Sequence, residues 1–151
     1  MRVAIDTSAL IKRYIAIPGG DELAALLANA TSLHIAPHCR VEMHSAFNRL
    51  RLTKQLSAAA SRAALAEFEQ DLADLQVTPW SAEIEIEAIK MLPHSNLRAM
   101  DALHVAAALA VGADQFITSD ERQAQAAKRA CTTTIFVKSR GKNDFASIFL
   151  D

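Results

Sequence analysis

Residues 2–10 read RVAIDTSAL and residues 115–127 read QFITSDERQAQAA. Both stretches place a short run of branched or aromatic apolar residues ahead of an aspartate, Asp6 or Asp120, and follow it with helix-forming sequence. Such a run, too short for a helix and without period-two alternation, reads as a strand buried on both faces. Strand, acid, then helix is the pattern of an α/β domain with a mostly parallel sheet. In open sheets of that kind ligands bind beyond the carboxyl ends of the strands, where Asp6 and Asp120 fall.

Working outward, residues 33–36 form a third strand candidate, 76–78 a weak one and 132–137 the last. The spacing predicts a helix from about Ser8 to the turn Pro18-Gly19-Gly20. A second, capped by Asp21, has Leu23, Leu26 and Leu27 on one face. Pro37 suits the first turn of a long helix reaching about Lys54. Ser57 opens another, with Leu65, Phe68, Leu72 and Leu75 along one stripe. The segment 81–92 contains EIEIE, which alternates like a strand, yet Ser81 can cap it, glutamates fill its first turn and Pro93 stops it, so a helix is expected. The helix over 99–111 should end at Gly112. Thirty alanines support this helical content, and with no repeat or linker the 151 residues read as one domain.

The chain is 51% hydrophobic and 22% charged, which excludes global disorder. Cys39 and Cys131 are too few for a disulfide scaffold or a four-thiolate zinc site. No apolar run reaches the ~20 residues of a membrane span, and Asp6 interrupts any signal-like start, so a cytoplasmic location is expected. With 16 basic and 17 acidic side chains the net charge is −1, which argues against nonspecific coating of nucleic acid. Eight aromatic residues argue against a base-stacking platform.

The acids Asp6, Glu42, Asp101 and Asp120 could converge at one end of the sheet. Converging carboxylates repel and raise one another's pKa, and a divalent cation relieves the repulsion; hard oxygen ligands select Mg²⁺ or Mn²⁺. Taken singly, each aspartate reads first as a helix cap, and Glu42 as a solvated helix residue. A zinc site is a weaker reading. His38, Cys39, Glu42 and His44 crowd one segment, and His38 and Glu42 lie four apart, but no second cluster completes the set. His104, three residues after Asp101, is expected to be a buried structural histidine.

The segments DTSAL at Asp6, VEMHSAF at Glu42, LRAMDALHVAAAL at Asp101 and FITSDERQAQAA at Asp120 together resemble, in order and spacing, the acidic motifs of PIN-domain ribonucleases, especially VapC-type toxins of toxin–antitoxin pairs. The resemblance runs from residue 2 to about 137. It implies a three-layer α/β/α sandwich in which Asp6, Glu42, Asp101 and Asp120 are the catalytic, metal-binding acids. Thr118 and Ser8 would support them. The implied activity is Mg²⁺-dependent endoribonuclease cleavage, Mn²⁺ being an alternative cofactor, with 5′-phosphate and 3′-hydroxyl ends. The implied partners are RNA, a cognate antitoxin and a second copy of the chain.

Arg40, Arg49, Arg51 and Lys54 are the candidate RNA-binding residues, with Lys12, Arg13, Lys138, Arg140 and Lys142 as further basic positions. Ile11, Tyr14, Ile15, Leu23 and Leu27 read mainly as core, although an antitoxin segment could pack on them. The apolar stretch 145–150 is expected to close the sheet or an interface. A catalytically silent RNA- or protein-binding module is the alternative. A phosphatase using Asp6 as nucleophile ranks lower, because DTSAL lacks a second aspartate two residues on. Setting aside the four acids leaves 13 against 16 bases, so a near-neutral total is compatible with an acidic pocket in a mildly basic surface.

Overall fold

The structure is a computed structural model that describes residues 1–130 and 132–138. Five strands among the described residues, β1 (Arg2–Ile5), β2 (Ser32–Ile35), β3 (Gln76–Val77), β4 (Gln115–Thr118) and β5 (Thr134–Phe136), form one sheet in the order β3-β2-β1-β4-β5. Every pairing is parallel. Among the described residues seven α-helices connect them: α1 (Thr7–Leu10), α2 (Gly20–Leu27), α3 (Cys39–Leu52), α4 (Ala58–Asp71), α5 (Ala82–Met91), α6 (Ala99–Ala110) and α7 (Glu121–Arg129). The chain winds outward from β1 through β2 to β3 and then returns to add β4 and β5 on the other side. The direction of winding therefore reverses between β1 and β4, and the carboxyl ends of these strands border the crevice where such sheets bind ligands.

Alternation along the strands divides the core. Val3, Ile5 and Ile117 point to the face covered by residues of α1, α3 and α4, where Leu10, Met43, Phe47 and Phe68 are fully buried. Ala4 and Phe116 point to the opposite face and pack against Val105, Ala108 and Ala127 of α6 and α7. Helices on both faces make the three-layer α/β/α sandwich expected from the sequence. Burial of each large side chain stabilises the fold by roughly 1.5–3 kcal/mol, so the alanine-rich α6 trades bulk for close approach to the sheet.

Local chemistry sets the helix ends. Ser57 and Ser81 cap α4 and α5, accepting from Ala60 and Ile84 N–H at 3.1 and 3.3 Å. In α5, Ile84 is buried whereas Ile86 is exposed, as a helix requires and a half-buried strand would not. Gly112 follows α6 with φ +57°, the left-handed stop that glycine permits. Two expectations change. Asp21 lies inside the first turn of α2, and the cap is Gly19, with φ +96°; a Cβ there would sit 2.9 Å from Val137. The first helix is one turn, not a run to Pro18. It passes into a 3₁₀ turn over Ile11–Arg13, which buries Lys12 and sends its ammonium to the Pro18 carbonyl at 3.1 Å. Lys12 is thus part of the interior, and Arg13 pairs with Asp71 at 2.9 Å. Of the apolar residues expected on the first two helices, Ile11, Tyr14 and Leu23 are buried and Ile15 and Leu27 pack partly buried against them, although only Leu23 and Leu27 lie on a helix of the α type. Cys131, Arg140, Lys142 and 145–150 lie outside the described residues.

Candidate metal centre

The first wall of the site is built by strand ends. Parallel register between Ile5 and Ile117 places Asp6 beside the end of β4, with its N–H on the Ile117 carbonyl at 3.1 Å. Asp6 caps α1 through one oxygen, accepting from Ala9 N–H at 2.9 Å; its other oxygen accepts from the Ser8 hydroxyl at 2.6 Å. Ser8 in turn accepts from Ser119 N–H at 3.0 Å, which ties the turn after β1 to that after β4. Thr118 Oγ1 accepts from Asp120 N–H at 3.0 Å. The supporting hydroxyls expected at Ser8 and Thr118 therefore stand at the hinge of the two acids.

Asp120 caps α7, accepting from Arg122 and Gln123 N–H at 2.7 and 3.2 Å. Asp101, in the first turn of α6, accepts from Gln123 Nε2 at 3.2 Å. One Arg122 guanidinium nitrogen stands 2.8 Å from Asp120 and 3.5 Å from Asp101. Capping and lining a charged cleft are thus compatible uses of one carboxylate: the cap occupies a single oxygen of Asp6.

Electrostatics separates these acids. Burial raises the pKa of Asp6, an effect that the charge of His104 and the bonds from Ser8 and Ala9 only partly offset. Burial and the neighbouring charge of Asp120 raise Asp101. Partial burial opposes ionisation of Asp120 as well, but bonds from Arg122 and the helix N–H groups bring it below the usual range.

The second wall comes from helices. Glu42, in the first turn of α3, accepts from the Thr7 hydroxyl and lies 2.7 Å from His104 Nε2, while its other oxygen is 4.0 Å from His38 Nε2. The two imidazoles lie with ring centroids 4.3 Å apart. Burial would lower the pKa of His104, but the bond to Glu42 and the charges of Glu42, Asp6 and Asp101 raise it. Burial and then the charge of His104 push His38 down to about 4. Burial opposes ionisation of Glu42, yet His104 and Thr7 hold its pKa low. Burial pushes the nearby Cys39 thiol up to about 12, so it stays protonated.

All four expected acids line one cleft of about 190 Å³, together with Ser8, His104 and Gln123. They do not meet as one knot. Among the described residues, three ligand atoms come within 4.8 Å of one another at His38, Glu42 and His104. A divalent ion fits the aspartate wall chemically: oxygen donors are present, and two of them carry pKa values raised by burial that a cation would relieve. Of the candidate RNA-binding residues, Arg49 lines the cleft. Arg40 forms a bidentate pair with Glu69 at 3.0 and 2.7 Å, which His44 also contacts. Arg51 bonds Asn48 and Lys54 follows the end of α3 with φ +59°. Arg122, Gln123 and Thr7 escaped the sequence reading, as did the place of His104 in the site. The one available signal was position, since Arg122 and Gln123 open the helix that Asp120 caps.

The family model of the PIN domain matches residues 3–129, and the chain belongs to the PIN-domain family. Solved structures with a similar fold include VapC20 of Mycobacterium tuberculosis, a sarcin–ricin-loop-cleaving toxin, at 19% identity over 82% of this chain and 94% of that one, with a TM-score of 0.61. FitAcB from Neisseria gonorrhoeae is similar at 12% identity over 88% and 96%, with a TM-score of 0.64. VapBC2 from Rickettsia felis, bound to a promoter DNA fragment, is similar at 16% over 90% and 98%, with a TM-score of 0.63. No curated protein sequence matches the chain.

Proposed function

We propose that the chain is a Mg²⁺-dependent endoribonuclease, the toxin of a toxin–antitoxin pair, acting in the cytoplasm. The observation that carries this reading is the convergence of Asp6, Asp101 and Asp120 on one cleft at the reversal point of a PIN-domain sheet, with Glu42 on the facing wall. Asp6, Asp101 and Asp120 would hold the ion, with Glu42 completing the acid set; Mn²⁺ suits the same oxygen donors. A bound divalent ion supplies Lewis-acid polarisation of the phosphate and a lowered pKa for water.

The side chains supply orientation. Ser8 fixes the Asp6 carboxylate, Gln123 fixes Asp101, and the Thr118 hydroxyl fixes the backbone at Asp120. Hydrolysis adds a water oxygen to phosphorus and breaks the bond to the 3′ oxygen, leaving 5′-phosphate and 3′-hydroxyl ends. Arg49, in the cleft, is placed for the RNA backbone, with Arg40, Arg51 and Lys54 farther out along α3 and its end. Structured RNA is the substrate class proposed, since VapC20 is described as cleaving the sarcin–ricin loop. A cognate antitoxin and a second copy of the chain are the proposed protein partners. No described helix is long and apolar enough to cross a membrane.

The test is cleavage of a structured RNA by purified protein with Mg²⁺ and with EDTA. Cleavage in Mg²⁺ alone supports the reading. RNA binding without cleavage under both conditions would leave a catalytically silent module instead.

A further inference from the structure

The histidine wall has a property that the aspartate wall lacks. His38 is 8% exposed; the Met100 backbone engages its ring, which leaves one ring nitrogen with no hydrogen-bond partner among the described residues. His104 is 3% exposed and its Nδ1 is likewise unpartnered. Buried polar groups are nearly always satisfied, so an open His38 nitrogen facing the Glu42 carboxylate, with His104 Nε2 on its other side, requires an account. The geometry points to a binding site for a borderline divalent transition-metal ion of the zinc class, held by His38, Glu42 and His104.

Three observations support it. The donors are two imidazoles and one carboxylate, the set that binds zinc in sites keeping an open coordination position, whereas Mg²⁺ prefers oxygen alone. Their spacing is right: donors around a tetrahedral ion with bonds of about 2.0–2.1 Å lie roughly 3.3 Å apart. The observed separations, 2.7 Å from His104 to Glu42 and 4.0 Å from His38 to Glu42, bracket that value, and all three ligand atoms lie within 4.8 Å of one another. The frame is also rigid: His38 and Glu42 are one turn apart at the start of α3, and His104 is fixed within buried α6. Thr7 donates to the Glu42 oxygen that faces His104 and stands 3.3 Å from His104 Nε2, which fixes the orientation of the carboxylate, as outer partners of metal ligands do. The sequence reading set zinc aside for want of a further ligand near His38 and Glu42. His104, 62 residues away from Glu42 in sequence, is that ligand.

The site does not rest on the nuclease reading, and Asp101→Asn separates the two. Metal-free full-length protein is titrated with Co²⁺, a spectroscopic stand-in for zinc. The visible bands of low-coordinate Co²⁺ should saturate at a single equivalent, resist excess Mg²⁺ and disappear when Zn²⁺ is added. His38→Gln and His104→Gln should each weaken Co²⁺ binding at least about tenfold. Asp101→Asn should retain the bands while losing Mg²⁺-dependent cleavage. Wild-type protein provides a readout independent of folding in the variants: on Zn²⁺ addition the ring nitrogen resonances of both His38 and His104 should shift. Bands lost in Asp101→Asn, bands unchanged in His38→Gln, ring resonances that stay put, or no saturable binding would each overturn the proposal.

Discussion

On one wall of the cleft Asp101 and Asp120, with side chains 14% and 12% exposed, face the same guanidinium of Arg122. On the other wall Glu42 faces two imidazoles, and Thr7 donates to it. Both walls bring charge into a partly dry space, but they compensate it differently. Arginine is always charged, so the aspartate wall keeps its internal cation at any working pH. Histidine carries charge conditionally and, when neutral, offers a lone pair to a metal. The aspartate wall is therefore suited to exchange one hard cation for another, while the histidine wall can change its protonation or ligation state.

The largest effect should come from removing an acid of the first wall. Asp101→Asn or Asp6→Asn should lower Mg²⁺-dependent RNA cleavage at least about 100-fold, measured as single-turnover rates. Near-wild-type rates in both would remove the aspartate wall from catalysis.

The next effect belongs to the second wall in EDTA. His38 has a folded-state pKa of about 4 against an ordinary 6.5, so the unfolded chain binds more protons between these values. Stability should fall as the pH drops from 6.5 to 4, by on the order of 2 kcal/mol, and His38→Gln should flatten that limb in urea melts. His104 works in the opposite sense. Its folded pKa is raised, so its contribution is full below 6.5 and is lost as pH rises through the raised value.

A smaller effect is expected at Arg122. Arg122→Gln leaves Asp101 and Asp120 facing each other without their shared cation, which should lower metal-free stability by about 1 kcal/mol, or a few degrees in Tm. The rise in Tm on adding Mg²⁺ should then exceed that of the wild type. An unchanged rise would show that the guanidinium and the ion do not compete. The smallest contrast is between two arginines of α3. Arg49→Ala should weaken RNA binding roughly tenfold at low salt, whereas Arg40→Ala should change it by less than about twofold. Equal effects would extend the RNA path onto the Glu69 face.

These walls differed in how much of them could be read beforehand. Asp6 and Asp120 were legible because one directly follows a short apolar run and the other comes two residues after one, and parallel strands bring such positions together. The PIN-like motifs supplied Glu42 and Asp101, and all four do line the cleft. The long α3, the helix at 82–91 and the stop at Gly112 also follow from local rules of capping and periodicity. What escaped was tertiary. His104 looked structural because its partner Glu42 sits on another helix, and its orientation depends on how α6 meets α3. His38 similarly needed the α6 ring beside it before its open nitrogen had meaning. Lys12 read as surface charge because nothing local announces that the chain turns back through Pro18 to cover it. Arg40 carried the same sequence signal as Arg49, and only the packing of α4 gives it Glu69.

The placement of β1 at the centre of the sheet has a consequence for how the protein is made. Its hydrogen bonds to the β4 segment join residues as far apart as Arg2 and Asp114, separated by 112 positions. Contacts of such span form late and slowly, because a long loop must close before they are rewarded. During synthesis the first strand therefore emerges well before its partner exists, and Asp6 waits for Asp120 until β4 has docked. A ribosome carrying an unfinished chain displays strand and helix fragments, with no assembled acid cleft beside its own RNA.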